Sequence, residues 1–248
     1  MKNMEKLLKS VIDKLSFYLF VLLYTTTYAQ PCTFEDVVKE TTYDVPYKKY
    51  TAPLDMEKVL NAEKSNFLGF IGANYKRLRI TFTSIKKSEE NKDVYEVEGF
   101  STVMNKNKRT FKRTFKGTFS LLSHYKFTKP ADDDPPLPKK GEVEGFSTFS
   151  YQLTEDENLT ATGVFKGKMI VMWFKKVNAA PVYYIPFHDD GERNYQFFGT
   201  WTSYKTKKAS IASWGEYRIP CSGDFDLGDG DFGPNPKYWQ YGWEEFRY

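Results

Sequence analysis

Apolar and polar residues alternate along Asp93–Ser120, which reads DVYEVEGFSTVM, then NKNK, then RTFKRTFKGTFS. In the first half Tyr95, Val97, Gly99, Ser101 and Val103 fall on one face, and Glu96, Glu98, Phe100 and Thr102 fall on the other. In the second half Phe111, Phe115, Gly117, Phe119 and Leu121 oppose Lys112, Thr114, Lys116 and Thr118. A period of two is the signature of a half-buried antiparallel strand. The polar run between the halves is a turn signal. The stretch therefore predicts a hairpin with Val97 opposite Gly117 and Gly99 opposite Phe115. A slip of one residue would turn every inward Phe to water, so burial selects the register.

The pattern recurs. Glu142–Phe149 (EVEGFSTF) repeats Glu96–Val103 (EVEGFSTV) at an offset of 46 residues. A turn at Thr154–Asn158 leads to a return strand, Leu159–Phe174, whose FKGKM matches FKGTF at Phe115. Here Val143 is expected to face Met169, and Gly145 to face Gly167. A looser third copy runs from Asn194 to Tyr204, turns at Lys205–Ala209 and returns over Ser210–Pro220. Val182–Phe187 reads as one more short strand. Upstream, Leu78, Ile80 and Phe82 alternate with Arg77, Arg79 and Thr81. Pairing Leu78 with Val97 and Ile80 with Tyr95 would set Arg77 against Glu98 and Arg79 against Glu96 on the solvent face.

Repeated hairpins without intervening helices add up to an all-β antiparallel up-and-down meander of about eight strands, the number at which a sheet closes into a small barrel. A β-sandwich is the alternative. Long strands and inward glycines, where a coiled strand bends, favour the barrel. The expected layout is a leader at 1–29, then an irregular segment at 30–75 with one short helix near Pro53–Leu60. A barrel at 76–220 follows, and an acidic, aromatic extension at 221–248 is expected to pack across one end of it.

Composition changes this picture in two places. Aromatics are 18% of the 248 residues, with 21 Phe and 18 Tyr, which suits pleated sheets better than helices. The net charge is +4 and the charges are well mixed, which gives no argument for nucleic acid. At the N-terminus Lys2, Lys6, Lys9 and Lys14 precede a largely apolar core, Leu15–Tyr24, and then Thr27-Tyr28-Ala29. This reads as a secretory signal cleaved after Ala29, too short to span a bilayer. The mature protein is then expected in the periplasm or outside the cell, with no transmembrane segment. The two cysteines, Cys32 and Cys221, would form a disulfide in such a compartment. The alternative is two buried thiols.

Candidate chemistry is sparse. The inward face mixes bulky residues, among them Trp173, Trp201 and Tyr217, with small ones such as Ser101 and Ser147. That mixture either leaves a cavity for a small apolar or amphipathic ligand or packs solid. Arg109 and Arg113 share the phase of Phe111 and Phe115, so either side chain, turned inward, offers a site for a carboxylate or phosphate. The alternative places both in solvent. Asp224, Asp226, Asp229 and Asp231 lie in a Gly-rich run and are candidate Ca²⁺ ligands, though the spacing is not that of an EF-hand. The alternative is a plain turn-rich loop, and no other cofactor is indicated. The tail residues Tyr238, Trp239, Tyr241 and Trp243, if exposed, would make a sugar-stacking or partner surface. His188 beside Asp189 and Asp190 reads as a solvated loop. The chain carries no nucleophile elbow and no phosphate-cradling glycine loop.

Gly199-Thr200-Trp201 on a strand resembles the Gly-x-Trp element of lipocalins and the Gly-Thr-Trp of avidin-type barrels. In lipocalins that element lies on the first strand, whereas here it lies near the end of the sheet. The resemblance covers three residues and implies a calycin-like barrel, with no binding residues carried over. The leader ending Tyr-Ala-Gln is similar to those of exported proteins of Bacteroidetes-type bacteria. The sequence thus leads to an exported, non-enzymatic barrel that binds a small ligand. The alternatives are a filled barrel with a structural, envelope-associated or partner-binding role, and a hydrolase using carboxylates from several strands.

Overall fold

The computed structural model describes residues 32–65, 67–104, 110–130, 138, 140–186 and 192–246. The expected leader at 1–29, Arg109 and His188 lie outside the described residues. Among those described, no helix is long and apolar enough to cross a membrane.

The alternation seen in the sequence becomes a closed eight-strand antiparallel barrel. Its strands are β2 (Phe67–Ile71), β3 (Lys76–Lys87), β4 (Val94–Met104), β5 (Thr110–Phe127), β6 (Val143–Glu155), β7 (Gly163–Lys175), β9 (Asn194–Ser203) and β10 (Ala209–Glu216). Each pairs with its neighbour in the chain, and β10 closes on β2. Two short strands extend the wall: β1 (Tyr47–Tyr50) along the far end of β5, and β8 (Val182–Tyr183) along the far end of β7. The barrel thus begins nine residues earlier than the sequence suggested, at Phe67 rather than Lys76. Phe67-Leu68-Gly69-Phe70-Ile71 is apolar on both faces and shows no alternation, so pairing with β3 and β10, not pattern, reveals the strand.

The β4–β5 hairpin has the expected register, with Val97 opposite Gly117 and Gly99 opposite Phe115. Two other registers differ. Leu78 pairs with Val103 and Ile80 with Ser101, not with Val97 and Tyr95. Phe149 pairs with Met169 and Gly145 with Trp173, where Val143 and Gly167 had been the expected partners. Both slides are by an even number of residues, so every inward side chain stays inward. Burial fixes which face a strand shows, whereas its slide along a neighbour is set by where the turn falls. Bulges at Thr83 in β3 and Leu122 in β5 then shift the phase, which brings Ile85 and His124 to the buried side while Leu122 stays exposed.

The middle of the barrel is solid. Phe82, Phe115, Phe119, Phe149, Tyr151, Phe165, Phe197 and Trp214 are buried there in one cluster. Phe197 stacks on Trp214 with ring centroids 4.9 Å apart. Such a pair adds about 0.5–1.5 kcal/mol beyond its area. Glycine makes room for this packing: a Cβ at Gly167 or Gly199 would stand 2.8 Å from the Tyr151 hydroxyl. One end of the barrel is stoppered by helix α2 (Glu57–Leu60), whose Val59 and Leu60 are fully buried with Leu54 and Met56. Tyr95 and Tyr195 fix the stopper. The Met56 N–H donates to the Tyr95 hydroxyl (3.0 Å), and the Tyr195 hydroxyl donates to the Val59 carbonyl.

The outer wall is covered in two places. Residues 31–50, expected to be irregular, contain helix α1 (Phe34–Thr42). Its β-branched residues are poor helix formers. A capping box between Thr33 and Asp36 starts the helix, and Val37, Val38, Thr41 and Thr42 are buried, with α1 lying against β7 and β9. The C-terminal extension packs over the side of the barrel, not across one end. Phe70, pointing outward from β2, joins Ile219, Phe225 and Trp243 in a second apolar cluster. Arg77 holds this extension: its Nη1 donates to Gly242 O (3.0 Å), it pairs with Glu245, and it lies 5.6 Å from the Trp243 ring centroid. Arg77 and Arg79 both pair with Glu245, and among the described residues neither is bridged to Glu98 or Glu96, the expected partners on the solvent face. Cys32 and Cys221 are both disulfide-bonded, and as the chain's two cysteines they form one pair.

Candidate functional site

The end of the barrel opposite α2 is a cup. A cavity of about 470 Å³ opens between the β2–β3 turn, the end of β4, the start of β5, the end of β6 and the β9–β10 pair. Alternation places its lining. Ser101 and Val103 end the inward row of β4, Phe111 and Arg113 begin that of β5, and Trp201 stands on β9. Glu155 continues the inward row of Phe149, Tyr151 and Leu153 to the last residue of β6.

Glu155 is 4% exposed. Its Oε1 accepts from Ser101 Oγ (2.6 Å), and its Oε2 accepts from the Gly163 N–H (2.9 Å) and from Trp201 Nε1 (3.1 Å). All three donors are neutral. Burial pushes this carboxyl above its ordinary range, while the hydrogen bonds from Ser101, Trp201 and Gly163 and the charge of Arg113 oppose the rise. The cradle orients the carboxylate and the indole together, because each limits the rotation of the other.

Arg113 turns inward and lines the same cup. Its Nε and Nη2 donate to Thr160 O (3.1 and 2.8 Å), and Nη1 donates to Lys112 O (2.9 Å). The guanidinium also lies 5.5 Å from the Phe111 ring centroid. One backbone carbonyl of the β6–β7 turn and one of β5 itself therefore fix its position. Lys76 and Ser210 complete the polar rim, and Ile71 and Ala161 the apolar wall.

Two of the sequence candidates, Arg113 and Trp201, thus meet in one cavity. Trp173 does not join them. It is fully buried near the stoppered end, where its Nε1 donates to Ser147 Oγ (2.8 Å) and His124 Nδ1 stands 2.7 Å from the same oxygen. Tyr217 is not on the inner face either. It follows the irregular end of β10, has a φ of 62° and is 51% exposed. Glu155 was missed because it fell inside the expected turn Thr154–Asn158. The signal was present, since extending the alternation of Leu153 by two residues reaches it.

The acidic run is organised by cations of the chain itself. Asp226 accepts from Arg218 Nε (3.0 Å) and from the Gly228 and Gly233 N–H groups, while Asp224 pairs with Lys237 and Tyr238. Asp229 and Asp231 are exposed. Among the described residues no group of three or more His, Cys, Asp or Glu is placed to hold a metal ion.

A larger groove, of about 670 Å³, lies on the outside between α2 and β3 and is lined by Asp55, Glu57, Lys58 and Lys86. It is more open, and most of the residues along it are charged or polar, with no aromatic among them. The cup at the mouth joins an aromatic wall to a few convergent polar groups, the usual character of a small-molecule site. No family model, no curated protein and no solved structure matches this chain.

Proposed function

We propose that this protein is an exported, non-enzymatic barrel that binds a small amphipathic molecule in the cup at its open mouth. The observation that carries this reading is the cavity of about 470 Å³, walled by Trp201, Phe111 and Val103, with Glu155 buried in it and Arg113 fixed beside it. The solid middle of the barrel confines the ligand to the mouth. The disulfide between Cys32 and Cys221 supports an oxidising compartment, periplasmic or extracellular.

Native mass spectrometry of protein purified from its own host tests the proposal. The wild type is expected to carry a small molecule, and Val103→Trp, which fills the cup, is expected to lose it. Wild-type protein that comes out bare and also fails to bind an apolar dye would defeat the ligand-binding reading and favour a structural role.

A further inference from the structure

The cup has an uneven charge distribution. The carboxylate buried in it, Glu155, is cradled by neutral donors; the charge of Arg113 reaches it, but no Lys or Arg among the described residues forms an ion pair with it. Its oxygens are unequally used. Oε2 accepts two hydrogen bonds, while Oε1 accepts from Ser101 alone and keeps lone-pair capacity. Ser101 Oγ donates to Glu155 and keeps its own lone pairs beside it. Trp201 is tethered to the same carboxylate by its N–H, which sets an electron-rich ring next to that point. The cations of the lining are committed differently. Arg113 is fastened to Thr160 O and Lys112 O, and Lys76 is exposed at the rim.

We propose that the cup takes a primary ammonium group on an apolar body, bound head-first with the ammonium on Glu155 Oε1 and Ser101 Oγ. This rests on reading the cup as a ligand site. The apolar body would then lie against Trp201, Phe111, Val103 and Ile71. The opposite orientation, an anionic head at Lys76 and Arg113 with its tail inward, leaves apolar atoms on the spare acceptors of a buried carboxyl group. A neutral ligand brings at most a hydrogen bond there and no counter-charge. An ammonium supplies the direct counter-charge that Arg113, fastened to Thr160 O and Lys112 O, does not make, and brings three donors to a floor that has spare acceptors.

Tryptophan fluorescence titrations of the full mature chain with octylamine, octanol and octanoate test this. Octylamine is expected to bind at least about tenfold more tightly than octanol, with octanoate weakest, as a charge-assisted hydrogen bond implies. Glu155→Gln is expected to lose about tenfold for octylamine and to stay within about twofold for octanol. On the unmodified chain, octylamine affinity alone should fall as Glu155 is protonated by acid, a measurement that does not depend on the variant folding. Octanol or octanoate binding as well as octylamine to the wild type would overturn the ammonium assignment and leave the ligand site standing. Failure of all three to bind would overturn both.

Discussion

At the scale of single residues, the informative groups are buried carboxylates. Glu216, at the end of β10, is 6% exposed and accepts from the Tyr183 hydroxyl (2.7 Å). Burial pushes its carboxyl up to about 7. The hydrogen bond from Tyr183 opposes this, and the charges of Glu63 and Glu192 reinforce it. The folded chain therefore holds this proton more tightly than the unfolded chain does. The resulting stability is complete below the ordinary value of 4.5 and is lost as pH rises to about 7. By linkage the loss is roughly 3 kcal/mol. Thermal unfolding followed against pH should show this decline, and Glu216→Gln should flatten it, leaving the variant more stable than wild type above about pH 8. An unchanged pH profile in the variant would assign the decline to other groups. Glu155 differs in having three donors, Ser101, Gly163 and Trp201, that oppose the rise caused by burial.

At the scale of elements, each strand carries two kinds of information. The inward row is legible as alternation, and Val97, Gly99, Phe115 and Phe119 all lie where it puts them. The slide between neighbours is not, as β3–β4 and β6–β7 show. Nor is a residue that buries on the outer wall. Phe70 and Arg77 point away from the barrel interior, yet both are buried because the C-terminal extension covers them. Trp243 is the centre of that cover: it is fully buried, its Nε1 donates to Tyr75 O, and it packs edge-on against Phe225 at 4.8 Å. Trp243→Ala is expected to cost about 3–5 kcal/mol in a denaturant titration. A loss below about 1 kcal/mol would mean that the extension adds little to the stability of the wall beneath it.

At the scale of the whole molecule, closure removes the edges of the main sheet, leaving only the short β1 and β8 flanking it. One disulfide closes a loop from Cys32 to Cys221, nearly the whole described chain. Chain-entropy reasoning gives such a loop about 5 kcal/mol as an upper figure. Intact mass should rise by about 2 Da on reduction without alkylation, one hydrogen per sulfur. Reduced protein should unfold at a clearly lower denaturant concentration, and coincident unfolding curves would show that the bond contributes nothing to stability.

By itself the sequence determined the antiparallel strands, the up-and-down order and the inward rows. These follow from a period of two and from local turn chemistry, which neighbouring residues carry. Trp201 was legible as an inward residue for the same reason, whereas the direction of Arg113 was open in the sequence and only the fold turns it into the cup. Only the tertiary structure decided that the middle packs solid and that one end is stoppered by α2. It also decided that the other end gathers Ser101, Arg113, Glu155 and Trp201 into a cup. These four residues are spread over a hundred positions, from 101 to 201, and meet because the strands are staggered around a closed wall. That stagger depends on turn positions and on the bulges at Thr83 and Leu122, and long-range packing, not local pattern, selects it.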